Sequence, residues 1–270
     1  MSQMMGWPPF FGVIKNLVII NALFFLSQIT AQQVFQTDLA YWLGLHHWGS
    51  EAFQPVQVVT SMFLHSSINI MHIIFNMFAL WMFGSKLEMQ WGAKKMLVFY
   101  LFCGIGANLL YNLVGYIEMI PFVEVVDTFL RQPTADHLSL LTSKYSHYMS
   151  SEGYTYLSKI ANNGDVEAID KVREVVQRFK IGVLNDRILI GASGAVYGVF
   201  LAYGYYYFHE TIHLYFLFPI KAGYLVFALT AFAIWSSFQH NPADNVAHLA
   251  HLGGMIFALG LIKYWEWKGE

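Results

Sequence analysis

Residues 188–208 run for 21 positions without a formal charge, and several other stretches of the chain do the same. At about 1.5 Å of rise per residue, a helix of that length covers the ~30 Å hydrocarbon core of a bilayer. No water is present there to satisfy backbone N–H and C=O groups, so a spanning segment must close its own hydrogen bonds as a helix. Composition agrees: 56% of residues are hydrophobic, and only 12% are charged where about a quarter is usual. A net charge of −2 with no long basic run gives no reason to expect a nucleic-acid partner. The single cysteine, Cys103, excludes an intrachain disulfide framework and a multi-cysteine metal site. The first residues carry no basic region and no small-residue cleavage site, so the first apolar stretch is read as a retained span.

Six spans are expected, at residues 16–34, 63–83, 96–117, 188–208, 222–238 and 245–262. The fold class is therefore an all-α membrane protein, a bundle of six transmembrane helices. Residues 1–117 hold the first three, 188–270 the last three, and 118–187 form a polar, partly helical insertion between the third and fourth. Within the insertion, Val166, Ile169, Val172, Val176 and Phe179 recur at helical spacing after a cap at Asp165. Residues 35–62 and 239–244 contain no Lys or Arg, whereas Lys15, Lys86, Lys94, Lys95, Lys221, Lys263 and Lys268 gather on the other side. The positive-inside rule then puts both termini in the cytoplasm and the insertion outside, since loops of its length cross largely regardless of charge. A bacterial inner membrane is the expected location.

Polar groups inside hydrocarbon are costly and each asks for a use. Ser193 sits between glycines in Gly191-Ala192-Ser193-Gly194, by these boundaries about five residues into its span. His72 and Asn76, four apart, share a face of the second span, about nine and thirteen residues in; His248 and His251 stand on the sixth, with His251 about six residues in. All the second, fourth and sixth spans run from outside to inside, so these side chains lie at overlapping depth. Two small-residue stripes, Gly194, Gly198, Ala202 and Ala250, Gly254, Ala258, allow close helix packing; facing each other, they would bring Ser193 and His251 together.

A serine hydroxyl becomes a good nucleophile when a base takes its proton, and attack on a carbonyl creates an oxyanion that needs donors in place. Ser193, His251, the side chains of His72 and Asn76 and the Ser193 amide could supply that set, with Tyr197 packed on the imidazole. The plain alternative is that the stripes only pack and the histidines bond backbone carbonyls. Metal ligation by His72, His248 and His251 lacks a His-Glu-x-x-His pattern and an inward carboxylate. A proton-conducting transporter would more naturally show carboxylates in the spans and an inverted repeat. Asp244 could orient a histidine or cap the sixth helix.

Gly191-Ala192-Ser193-Gly194, His72-x-x-x-Asn76 and Ala250-His251-Leu252-Gly253-Gly254, in the right spans and order, resemble the signatures of rhomboid intramembrane serine proteases. The likeness covers the six-span frame, including Phe63-Leu64-His65 and the Phe-Pro-Ile-Lys segment at 218–221. It implies a Ser193–His251 dyad without an aspartate, an oxyanion hole of His72, Asn76 and the Ser193 amide, and Tyr197 stacked on the histidine. Gly191, Gly194 and His248 are supporting residues. The implied activity is hydrolysis of a peptide bond in or near a transmembrane segment of single-span proteins, through an acyl-enzyme, with no metal or organic cofactor. A relative without catalysis could use the same fold to retain membrane clients, although it would typically lack the serine or the histidine. Two departures stand out: Val56-Gln57 takes the place of the Trp-Arg pair frequent in the family's first loop, and the insertion at 118–187 is longer than the core needs.

Overall fold

A computed structural model describes residues 8–214, 218–238 and 248–269. The loop at 239–244, Asp244 and the first residues expected in the sixth span lie outside that set. The chain is mostly helical and divides into two compact units, one of Met1–Leu45, Gln54–Tyr111 and Leu189–Glu270, the other of His46–Phe53 and Asn112–Ile188.

In chain order the helices are α1 (Gly12–Phe35), α2 (Leu39–Leu43), α3 (Gln57–Thr60), α4 (Ile70–Ala79), α5 (Ser85–Trp91), α6 (Ala93–Arg131), α7 (Ala135–Tyr145), α8 (Ser151–Asn163), α9 (Val166–Lys171), α10 (Arg173–Asn185), α11 (Ser193–Tyr206), α12 (Ala222–Phe238) and α13 (His248–Lys268). A π turn, Leu80–Gly84, joins α4 to α5. Between α11 and α12 an antiparallel pair, β1 (Thr211–Leu214) and β2 (Phe218–Lys221), matches Thr211 with Lys221. Among the described residues, three helical stretches are long and apolar enough to cross a membrane: Gly12–Phe35, Ile70–Trp91 and Ala93–Arg131.

Two expected spans are redrawn. The run at 188–208 is not one helix: Ile188–Leu189 is extended and α11 starts only at Ser193, leaving 14 residues. Gly191 is the reason, since its φ of +132° cannot belong to a right-handed helix. The second span begins seven residues later than expected, at Ile70, where the Asn69 side chain accepts the Met71 N–H at 3.1 Å.

The first unit is held by polar side chains that reach across helices as well as by its apolar core. The α1 N-terminus has Phe11 at its cap position and no side-chain cap of its own. Glu88 of α5, 2% exposed, replaces one: its carboxylate oxygens accept the Val13 and Ile14 N–H groups at 2.7 and 2.9 Å. That satisfies two of the free first-turn donors and sets a negative charge at the positive end of the helix dipole. Gln28 of α1 clamps His65 from both sides, donating to its carbonyl at 3.0 Å and accepting its N–H at 2.9 Å.

The second unit has its own core. At residue 118 the composition turns polar but the helix does not stop. Met119, Phe122, Val126 and Phe129 keep helical spacing and are all buried, so α6 continues as an amphipathic helix through Pro121 to Arg131. Its stripe packs with Leu138 and Leu141 of α7, Leu157 of α8 and Val176 of α10. Thr134, Ser150 and Asp165 cap α7, α8 and α9 as acceptors of first-turn N–H groups. Of the periodic residues noted in the sequence, Ile169, Val172 and Val176 are buried and Phe179 is half-buried, but Val166, the residue after the cap, is 76% exposed. In the same unit Asn112 donates to the His46 carbonyl at 2.7 Å and accepts the Trp48 N–H at 2.9 Å.

Removing the Glu88 carboxylate strands two N–H groups and is expected to cost about 2–4 kcal/mol. Unfolding in detergent should rank wild type above Glu88→Gln and Glu88→Gln above Glu88→Ala; equal midpoints for all three would rule out the cap as a stabilising contact.

Candidate active site

Glycine sets how close α11 and α13 come. A Cβ on Gly254 would overlap the Gly194 carbonyl oxygen, and one on Gly198 would lie 3.2 Å from the Gly254 carbonyl. The two small-residue stripes therefore face each other, with Ala202 and Ala258 fully buried further along. α6 closes the third side, where Ala107 meets both Gly194 and Gly253.

Ser193 and His251 lie at that contact. Ser193 Oγ is 3.0 Å from His251 Nε2, a hydrogen bond in which the hydroxyl donates when the neutral ring carries its proton on Nδ1. Tyr197, one turn after Ser193, lies flat on the imidazole, with ring centres 4.0 Å apart and planes 3° from parallel. Stack and hydrogen bond together fix both the plane of the ring and its rotation in that plane. His251 is 6% exposed and Ser193 half-buried.

The main chain around Ser193 is equally defined. Ser193 is the first residue of α11, and the first bond of that helix runs from the Val196 N–H to the Ala192 carbonyl at 3.0 Å. The N–H groups of Ser193, Gly194 and Ala195 thus have no partner within the helix, and the positive end of its dipole is at the serine. Gly191 passes so near His72 that a Cβ there would sit 3.1 Å from ring atom Nε2 and 3.5 Å from Ser193 Oγ. On the far edge of the His72 ring, Nδ1 accepts the Ser66 N–H at 3.4 Å, a long bond. With Nδ1 accepting, the ring proton belongs on Nε2, the atom that faces Gly191.

Asn76 and His248 stand one contact further out. The Asn76 amide is buried and donates to the His72 carbonyl at 2.8 Å, using one of its two hydrogens. His248 meets His251 edge-on at 5.8 Å and Phe232 of α12 at 5.6 Å. Among the described residues no group of three or more His, Cys, Asp and Glu is arranged to hold a metal ion. Ser193 is first in α11, His72 third and Asn76 seventh in α4, and His251 three residues after His248 in α13.

A polar hydroxyl–imidazole pair, an aromatic lid on the imidazole and free amides at a helix start form a set that acyl transfer can use. The sequence model of the Rhomboid domain matches residues 52–123 and 169–265, more than half of the chain. The chain belongs to the rhomboid family. Rhomboids are a family of intramembrane serine proteases, and this rhomboid is an integral membrane protein. The residues between the two matched stretches, 124–168, all fall in the second unit. An uncharacterized mitochondrial rhomboid protein of Schizosaccharomyces pombe is 27% identical over 203 residues, covering 75% of this chain and 48% of that protein. The chain thus spans about half the length of this curated relative.

Two residues linked to this rhomboid's serine loop escaped the sequence reading: Ser61, whose carbonyl accepts the Gly191 N–H, and Asn108, which donates to Ser61 Oγ. For Asn108 the signal was present: like Asn112 four residues on, it is an amide in a charge-free apolar span, the criterion that picked out Asn76.

Because Gly254 has no room for a methyl group, Gly254→Ala should push α13 off α11 and abolish labelling of Ser193 by a fluorophosphonate. Gly260→Ala, with open space around its Cα, should leave labelling unchanged. Equal labelling of the two variants would contradict the glycine contact.

Proposed function

We propose that this rhomboid is an intramembrane serine endopeptidase that cuts single-span membrane proteins in or near their transmembrane segment. The observation that carries this reading is the 3.0 Å Ser193–His251 hydrogen bond beneath the parallel Tyr197 ring. In the proposed reaction His251 Nε2 takes the hydroxyl proton as Ser193 Oγ bonds to the substrate carbonyl carbon. The carbonyl oxygen becomes an oxyanion held by the Ser193 N–H and by side-chain donors of His72 and Asn76. The protonated His251 then gives its proton to the leaving amine as the C–N bond breaks, which leaves an acyl-enzyme. Water, deprotonated by the same imidazole, attacks the ester carbonyl and frees the serine. The free first-turn amides of α11 support the oxyanion assignment, and so does the Nε2 proton of His72. The mechanism calls for no metal or organic cofactor.

In this reading all six apolar segments cross the bilayer, the three shorter or more polar helices α11, α12 and α13 among them. The lysine asymmetry supports cytoplasmic termini, an active site open to the outer side and residues 118–187 standing outside. A bacterial inner membrane suits this arrangement, although the relative named above is mitochondrial.

Cleavage of a single-span reporter in proteoliposomes should be abolished by Ser193→Ala and by His251→Ala in variants that remain folded. Tyr197→Phe, which keeps the ring stack, should retain most activity, whereas Tyr197→Ala should lose about tenfold or more. If wild type and both dyad variants cut alike, the proposed chemistry is wrong. A wild type that neither cuts nor takes up a fluorophosphonate would point instead to a client-binding relative.

A further inference from the structure

Two consecutive residues of α6 connect to the backbone on either side of Ser193, one directly and one through Ser61. Ala107 packs on the residue after it: a Cβ on Gly194 would lie 2.6 Å from the Ala107 methyl. Asn108 reaches the residues before it by way of Ser61. Its Nδ2 spends both hydrogens, one on the Val58 carbonyl at 2.8 Å and one on Ser61 Oγ at 3.0 Å. The Ser61 carbonyl in turn accepts the Gly191 N–H at 2.9 Å. Asn108 is 4% exposed and Ser61 1%, so water does not compete for these bonds.

Gly191 is the position with least tolerance in the loop. Its positive φ ends the extended segment and starts the turn into α11, and its Cα faces the His72 ring. Displacement of its N–H rotates the peptides that aim the Ser193 amide and Oγ. We propose that Asn108 is a positioning residue for the reaction at Ser193, holding Gly191 through Ser61 while Ala107 holds Gly194. This rests on the protease reading above. Neither side chain meets the reacting atoms, so the tether governs alignment in the turnover step and leaves capture of the substrate span alone.

The test uses the full chain in proteoliposomes with the single-span reporter, comparing wild type, Asn108→Ala, Ser61→Ala and the double variant. Each single variant should lower kcat about 10- to 100-fold with KM within about twofold, because a small misalignment is costly in the chemical step. The double variant should be no worse than Asn108→Ala, since both substitutions cut one tether. Amide hydrogen exchange over residues 188–194 should rise in every variant as the Gly191 N–H loses its fixed acceptor. If Asn108→Ala fails to fold, Ser61→Ala, which removes only a hydroxyl, carries the same test. The proposal is overturned by unchanged kcat in the single variants, by losses that multiply, or by lost activity with exchange at 188–194 unaltered. A wild type that neither cleaves nor labels overturns the protease reading instead, and exchange then decides the tether by itself.

Discussion

The approach of α11 to α13 at Gly194 and Gly254 is the contact on which the site depends. If both helices cross the bilayer as proposed, there is no hydrophobic gain from meeting, because lipid tails are as apolar as leucine; close packing and polar contacts then supply the association. Two facing glycines let backbone meet backbone, since a Cβ on Gly254 would overlap the Gly194 carbonyl oxygen. The 3.0 Å separation of Ser193 Oγ from His251 Nε2 follows from that spacing, since both side chains are short and both leave their helices beside the contact. The Tyr197 stack uses the same geometry one turn further along α11.

A second constraint runs through the first unit. Where helices end inside an apolar environment, backbone groups still need partners. Glu88 supplies two acceptors for the α1 start, Gln28 a donor and an acceptor for His65, and Asn108 two donors for the segment around Ser61. Each is a buried side chain with two bonds to positions far away in sequence. The buried polar residues of this unit are thus structural joints as much as chemistry, and a single amide in an apolar helix can serve either end.

How much of this was legible in the sequence follows from what each signal encodes. Ser193, His251, His72 and Tyr197 could be singled out because polar groups in charge-free spans are rare, and the glycine stripes announced which helix faces would meet. The start of α11 could not be read from hydropathy. Ile188 and Leu189 are as apolar in an extended segment as in a helix, and only the backbone conformation of Gly191 separates the two. The end of α6 was not legible for the opposite reason. Charges at 118, 124 and 127 look like a loop by composition, yet Met119, Phe122, Val126 and Phe129 hold a helical face. The pairing of Asn108 with Ser61 spans 47 residues of sequence, a distance no local pattern reports.

Starting α11 at the serine changes the electrostatics of the site. A serine one turn inside a helix would have its N–H bonded to a carbonyl four residues back and would see little of the helix dipole. At the first position its N–H and the next two are uncommitted, and the partial positive charge of the helix end is directed at the place where an oxyanion would form. His72 adds a donor on the same side, because the Ser66 N–H occupies its Nδ1 and leaves the proton on Nε2. These donors would, in the proposed reaction, be in place before any substrate arrives, so that no reorganisation is needed as charge develops. In the proposed reaction the glycine at 191 therefore does two things at once. It ends the extended segment so that the helix begins at the nucleophile, and it removes the side chain that would otherwise stand between that nucleophile and His72.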